Sequence, residues 1–384
     1  MTKTVFYWSP CLSKVGTFKS TINSALSASK YSKGKLSIKI INACGEWDEQ
    51  KDFFLENNIQ IIDLGLNYFK YLPKLGFLRS RFSYILIFLL SFIPLLKLLR
   101  KEKPEFIIIH LITSLPLFLI NIFDIETKCI LRISGFPKFN LLRKIFWKIG
   151  QKKIYRVMCP SSELKSQIEK NRIFYDAKLV FLPDPIIRIK DIRTGINLSK
   201  KSVEYKNSRK YFISVGRLTK QKNFDYLIDE FSVFAKKNNE FDLFIFGEGE
   251  YKDRLTRKIQ NYGMSNRIFL KGYSENIYAH MSNAKSFILS SLWEDPGFVI
   301  IEAAACNLFV ISSNCKNGPE EFLSNGNGGL LFKSNKKDEL NRNLNNFLNM
   351  GKEIIEMKIL AKKNSKKYTL FRHYKILSSV LLSN

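Results

Sequence analysis

Ser290–Asn307, SSLWEDPGFVIIEAAACN, is the stretch on which the reading of this 384-residue chain turns. Ser286-Phe287-Ile288-Leu289 just ahead of it is a short apolar run, which predicts a buried strand ending at Ser290-Ser291. Glu294 follows, then Asp295-Pro296-Gly297. A carboxylate and a proline ahead of an apolar segment are helix-start signals, so Phe298 to Cys306 is expected to be a helix with Pro296 near its first position. The free N–H groups of Gly297, Phe298 and Val299 would then face the space beyond the strand end, where a helix N-terminus favours an anion. Glu302 falls inside the helix among Ile301, Ala303, Ala304 and Ala305, and a carboxylate in so apolar a setting needs a partner.

Working outward, Phe212 to Val215 predicts a strand that runs into Gly216-Arg217-Leu218-Thr219-Lys220-Gln221-Lys222-Asn223 and then a helix from Phe224 to Lys236. Arg217 and Lys222 stand five residues apart across that turn and are expected to converge on one anion. Further strands are expected over Phe241–Phe246, 267–270 and 308–312, with helices over 252–262 and 277–284 between them, and 338–382 is expected to be mostly helical. Strand alternating with helix is the signature of a parallel sheet.

Two glutamates separated by seven intervening residues, Glu294 and Glu302, resemble the Glu-x7-Glu signature of the retaining, nucleotide-sugar-dependent glycosyltransferases of the GT-B fold (glycosyltransferase family 4-like, group 1). Gly216 to Asn223, Gly247-Glu248-Gly249, Gly318-Pro319-Glu320-Glu321 and Asn325-Gly326-Asn327-Gly328-Gly329 stand around them in the order that family uses. The resemblance is dense from Tyr211 to Phe332 and covers the N-terminal half in outline. It implies an α/β architecture of two Rossmann-like domains facing each other across a cleft. These are an acceptor domain over 1–187, a nucleotide-sugar domain over 188–365 and a C-terminal helix, 366–384, that crosses back to the first domain.

The resemblance also implies roles. Glu302 would accept hydrogen bonds from the donor's ribose, and Glu294 would face the transferred sugar as the anomeric carbon gains positive charge. Arg217 and Lys222, with the amides of Gly297, Phe298 and Val299, would neutralise the leaving diphosphate, and Tyr273 lies in the region expected to contact the base. Gly16, in the loop after the first strand, would pass beneath the donor, although a plain surface turn is equally compatible with a single glycine there. Many family members carry a histidine where this chain has Ser134-Gly135, so Ser134 is the candidate sugar contact at that point. His110, at the end of the Phe106–Ile109 strand, is the candidate acceptor contact, or a structural histidine. The Glu320-Glu321 pair reads as a cap or surface feature. No Asp-x-Asp motif occurs, and the family expectation is a metal-independent enzyme with no cofactor, the nucleotide-sugar being a co-substrate.

Composition narrows the partners. Lys and Arg total 62 against 34 acids, a net charge of +28, which favours anionic partners. Six scattered cysteines and three histidines give no zinc spacing and suit a reducing compartment. Met1 to Trp8 reads as a first strand, not a secretory leader. Phe77 to Arg100 is the most apolar region, with basic ends. Its apolar body of about 15 residues, interrupted by Ser83, Ser91 and Pro94, is shorter than the roughly 20 a bilayer needs, so it is expected to be a buried helix pair or a surface lying on an anionic membrane. Asn140 to Tyr155 is a second basic amphipathic segment, with Phe139, Leu142, Phe146 and Ile149 on one side and Trp147 as an interfacial aromatic. The polar segment from Pro183 to Lys210 is expected to link the domains.

Three functions are compatible with these features. The leading expectation is transfer of a sugar from a nucleoside diphosphate donor, by family habit a UDP-sugar, to a lipid-linked or polysaccharide acceptor with retention. That enzyme would serve cell-surface polysaccharide or lipopolysaccharide synthesis on the cytoplasmic face of the membrane. A nucleotide-sugar epimerase on the same architecture is the second, and a basic nucleic-acid-binding protein the third, disfavoured by the absence of a zinc-finger or RNP motif.

Overall fold

In the computed structural model the chain forms two compact units, one made of the residues up to Ile186 with those from Leu370 onward, the other Ile187–Thr369. The structure describes residues 2–12, 16–73, 77–133, 137, 140–201, 209–294 and 296–382.

Unit 1 is built on a parallel sheet of β1 (Lys3–Trp8), β2 (Leu36–Asn42), β3 (Gln60–Asp63), β4 (Phe106–Ile109), β5 (Lys128–Arg132), β6 (Ile154–Cys159) and β7 (Leu179–Phe181). They lie in the order β3-β2-β1-β4-β5-β6-β7. Its helices in chain order are α1 (Gly16–Tyr31), α2 (Lys51–Glu56), α3 (Phe77–Glu102), α4 (Ser114–Ile122), α5 (Leu141–Gly150) and α6 (Ser162–Lys170). Alternate residues of β1 serve two cores, as a pleated strand requires. Phe6 and Trp8 pack with Ile87, Leu95 and Leu99 of α3, Leu117 of α4 and Trp147 of α5, while Val5 and Tyr7 pack with Ile22 and Ala25 of α1. β4, Phe-Ile-Ile-Ile, is buried throughout, as expected of a strand covered on both faces.

Unit 2 repeats the plan with β8 (Lys210–Val215), β9 (Phe241–Phe246), β10 (Ile268–Gly272), β11 (Ser286–Leu289), β12 (Phe309–Ser313) and β13 (Leu330–Phe332), in the order β10-β9-β8-β11-β12-β13. Its helices are α7 (Ile189–Lys201), α8 (Phe224–Lys237), α9 (Lys252–Asn261), α10 (Ile277–Asn283), α11 (Phe298–Ala305), α12 (Pro319–Phe322), α13 (Glu339–Asn349) and α14 (Glu353–Ser365). The last helix, α15 (Leu370–Leu381), returns to unit 1 and packs on α1.

Several expectations are corrected. The apolar region is one 26-residue helix, α3, with Pro94 inside it, not a helix pair. Its Arg79–Glu102 portion is long and apolar enough to cross a membrane by length and composition. The segment expected as a linker contains α7, and Ser114–Ile122, where an apolar run hides helical spacing, forms α4. The second basic helix stops at Gly150, because Ile154–Cys159 is taken up as β6 beside β5. Trp147 is buried against the core near Phe174, so it is no interfacial aromatic; the exposed apolar row of α5 is Leu141, Ile145 and Ile149.

α1 is polar yet largely buried, and hydrogen bonds explain why. The segment that leaves unit 1, Pro183-Asp184-Pro185, is held by Ser20 Oγ, which donates to Asp184 Oδ1 (2.7 Å), and by Asn23 Nδ2, which donates to the Pro185 carbonyl (2.6 Å). Arg132, at the end of β5, gives its guanidinium to the same carboxylate (Nε to Oδ1, 3.0 Å). His373 of α15 bonds through Nδ1 to the Pro183 carbonyl (2.8 Å), which makes Nε2 the acceptor of the Ser24 hydroxyl (2.9 Å). Burial holds the His373 pKa down at about 4. A histidine kept neutral in the fold but titrating near 6.5 when unfolded contributes stability that is complete above 6.5 and is lost as pH falls toward 4. Stability is therefore expected to drop by about 2 kcal/mol between pH 6.5 and 5 from this residue. Chemical denaturation at the two pH values, with His373→Gln losing most of the difference, checks it.

Candidate active site

In a doubly wound sheet, ligands bind beyond the C-terminal strand ends where the strand order reverses. In unit 2 that point lies between β8 and β11. The segment after β8 is Gly216–Asn223 and the segment after β11 is Ser290–Gly297, the two stretches singled out in the sequence. They are bonded together: Leu292 N donates to the Gln221 carbonyl, Gln221 Nε2 to the Trp293 carbonyl and Ser290 Oγ to the Lys222 carbonyl, each at 2.8 Å.

This joining places Lys222 Nζ on Glu294 Oε1, where the Ser291 hydroxyl also donates (2.5 Å). Glu294 is 5% exposed, and its backbone is fixed by a bond from its N–H to the Lys316 carbonyl (3.2 Å). The structure thus pairs Lys222 with Glu294. Arg217 is exposed and makes no ion pair among the described residues.

Gly297 is the N-cap of α11 in a left-handed conformation (φ 85°), so the helix opens at Phe298 and Pro296 stands outside it, a correction to its expected place. Asp295 lies outside the described residues. Gly318 closes the turn from the other side. At φ 140° its Cα rests against the Pro296 backbone, and any Cβ there would collide with that peptide. The Gly-Pro-Glu-Glu motif therefore shapes the entrance to α11, while Glu320 and Glu321 themselves are exposed on α12.

Glu302, one turn into α11 and 6% exposed, accepts a hydrogen bond from Tyr278 Oη (3.0 Å) of α10. Burial, then the charge of Glu302, raises the Tyr278 pKa far above its ordinary value, so the phenol stays a donor. α7 packs on this point through Gly195, which has no room for a Cβ between Asn276 Oδ1 and Tyr278 Cβ. The sequence reading missed Tyr278, Ser291 and Gly195. An isolated glycine inside a helical pattern, Gly195, was the one available signal. Tyr273, expected near the base, sits at the end of edge strand β10 and is 79% exposed; the residue of this region that reaches Glu302 is Tyr278.

In unit 1 the order reverses between β1 and β4. Gly16, exposed, opens α1 after β1, and His110 follows β4. His110 is 4% exposed, and neither ring nitrogen has a hydrogen-bond partner among the described residues. Burial, then the nearby charges of Arg132 and His373, hold its pKa well below the usual histidine value, so the ring is neutral. Ser134 lies outside the described residues. Among the described residues no three His, Cys, Asp or Glu side chains group as a metal ion would need.

With this geometry in hand, residues 196–367 match a family described as Glycosyl transferases group 1. That match covers most of unit 2 and under half of the chain. An uncharacterized glycosyltransferase of Methanocaldococcus jannaschii is 32% identical over 248 residues, covering 60% of each chain. The N-acetylgalactosamine-N,N'-diacetylbacillosaminyl-diphospho-undecaprenol 4-alpha-N-acetylgalactosaminyltransferase of Campylobacter jejuni is 30% identical over 173 residues, 45% of this chain and 47% of its own. The chain therefore spans about half to three-fifths of these curated relatives. The crystal structure of Anabaena HepE in complex with UDP superposes with a TM-score of 0.71 over the whole of both chains at 14% identity. The fold of the chain is GT-B, two Rossmann-like units of seven and six parallel strands.

Proposed function

We propose that the chain is a retaining glycosyltransferase that moves a sugar from a nucleoside diphosphate, with UDP as the preferred carrier, to a hydroxyl of a lipid-linked or polysaccharide acceptor. The observation that carries this reading is the pair of buried glutamates at the unit 2 switch point, Glu294 held by Lys222 and Ser291, Glu302 held by Tyr278. Glu302 has the position and burial to take a ribose diol, and a diol would satisfy the remaining acceptor capacity of a costly carboxylate. Glu294 would bind a hydroxyl of the transferred sugar and stabilise the charge that grows at its anomeric carbon as the glycosidic bond breaks. The leaving diphosphate would meet Arg217 and the free amides of Phe298 and Val299, which can neutralise it without a metal ion. His110, neutral and with two unpartnered nitrogens, would serve as a hydrogen-bonding contact for the acceptor or the donated sugar. The named acceptor of the Campylobacter relative, a diphospho-undecaprenol glycan, and the UDP in the HepE crystal support the same reading. Calorimetric binding of nucleoside diphosphates to the wild type and to Glu302→Ala tests it.

The setting we propose is the cytoplasmic surface of an anionic membrane, in cell-surface polysaccharide or lipopolysaccharide synthesis. α3, α4 and α5 pack side by side on one face of the unit 1 sheet, yet they leave Phe82, Ile85, Leu89 and Ile93, Ile122, and Ile145 and Ile149 exposed. Leu89 is 63% exposed. Arg79, Arg81, Lys97, Arg100, Arg143 and Lys148 are exposed on the same helices. An apolar face rimmed by cations suits acyl chains below phosphate headgroups. Replacing Leu89 and Ile93 together by Asp is expected to weaken partition onto anionic vesicles by more than about tenfold, since each side chain is worth about 1.5–3 kcal/mol when buried. Co-sedimentation measures it, and unchanged binding would remove α3 from the contact.

A further inference from the structure

The strands of unit 1 are parallel, so β5, β6 and β7 all begin at the edge of the sheet opposite to His110. A pocket of about 300 Å³ lies there, lined by Lys128, Lys152, Lys153, Arg156 and Lys178, with Glu126 as the one acidic side chain on its wall. Arg156 and Lys128 share one aromatic ring: the guanidinium carbon is 4.4 Å and the ammonium nitrogen 5.3 Å from the centroid of Tyr155. Lys178, half-buried, points two of its donors at the carbonyls of Ile154 (2.6 Å) and Gln151 and is held beside Arg156.

Cations held together in this way repel one another, and at several buried or half-buried places the fold supplies a carboxylate. Arg132 has Asp184, Lys222 has Glu294, Arg267 has Asp242 and Lys39 has Glu102. Here Lys153 is paired with Asp124, but Lys128, Lys152, Arg156 and Lys178 have no carboxylate partner among the described residues. Glu126 makes no ion pair among the described residues either, and its single charge leaves the pocket strongly positive. Burial already lowers the pKa of Lys178, and Arg156 lowers it further. An arginine fork with several lysine point charges matches the several oxygens of a phosphate better than a lone carboxylate.

We propose that this pocket binds a phosphate-bearing anion. The shared chemistry is the phosphate group. It has two sources, the headgroup of an anionic lipid or a free phosphate compound. The proposal rests on the pocket alone, so it stands or falls apart from the transferase reading.

The test uses the full chain and the double variant Lys128→Gln/Arg156→Gln, with Lys128→Gln alone at an exposed position as the substitute should the double variant not fold. In the first arm, calorimetry with inorganic pyrophosphate is read as the difference between wild type and variant, because any donor-site binding is common to both. A loss of about tenfold or more in affinity, as expected for two charge-assisted hydrogen bonds, assigns the pocket to free phosphate. In the second arm, co-sedimentation compares phosphatidylcholine vesicles carrying phosphatidic acid with vesicles of matched charge carrying oleate. A preference for phosphatidic acid that the variant loses assigns the pocket to a lipid headgroup. If the variant equals the wild type in both arms, the phosphate site is overturned.

Discussion

Glu294→Gln is expected to lower kcat by about 10²–10³-fold while nucleoside diphosphate affinity stays close to that of the wild type. Glu294 is buried between Lys222 and Ser291 at the mouth of β11, and the helix amides that would take the diphosphate begin three residues later at Gly297. A carboxylate so placed lies ahead of the phosphate site, where the anomeric carbon would sit, and its charge matters most as that carbon becomes positive. Gln keeps the volume and one acceptor, so it removes the charge without emptying the site. An interaction made mainly in the transition state shows as loss of kcat with a small change in binding. Removing one partner of a buried ion pair also costs about 3–5 kcal/mol of stability, so the thermal midpoint must be followed alongside turnover. A variant that stays folded and transfers sugar at the wild-type rate would take Glu294 out of the chemistry.

Asp184→Asn is expected to destabilise unit 1 by about 3–5 kcal/mol. Asp184 is buried, receives the Arg132 guanidinium and the Ser20 hydroxyl, and sits between two prolines in the segment that leaves unit 1. The neutral amide leaves Arg132 as an uncompensated buried charge. A two-unit chain of 384 residues does not unfold as one cooperative step, so the prediction concerns the transition of unit 1. Tyr7 and Trp8 fluorescence would follow it, against the same probe in the Asp184→Leu/Arg132→Met double variant. The double variant should recover part of the loss, because it removes both charges together. Equal losses in the single and double variants would show that the charge pair is not what anchors the segment.

The sequence carried the second unit in detail because each of its signals is local. The Phe241–Phe246 and Ser286–Leu289 strands and the start of α11 at Phe298 are fixed by apolar runs and turn residues that a short window contains. What it could not carry depends on contacts across long separations. Tyr278 became relevant only because α10 lies against α11, and Gly195 only because α7 lies on α10. Lys222 looked like half of an anion clamp with Arg217, since both follow one strand. The fold turns it toward Glu294, 72 residues away. In unit 1 the burial of the polar face of α1 was not legible, because it rests on hydrogen bonds to Asp184, Pro185 and His373. Trp147 was misplaced for a related reason: a basic helix bearing a tryptophan suggests an interface, yet Phe174 and the sheet claim the ring.

Whether Glu302 holds the nucleotide of a sugar donor is read by calorimetry of UDP, GDP, ADP and CMP on the wild type and Glu302→Ala without added metal. The account predicts that one diphosphate, UDP first, binds the wild type at micromolar strength and that Glu302→Ala abolishes it, with Tyr278 left in place as the control for local folding. Binding by none of the four, or binding that survives in Glu302→Ala, would contradict it.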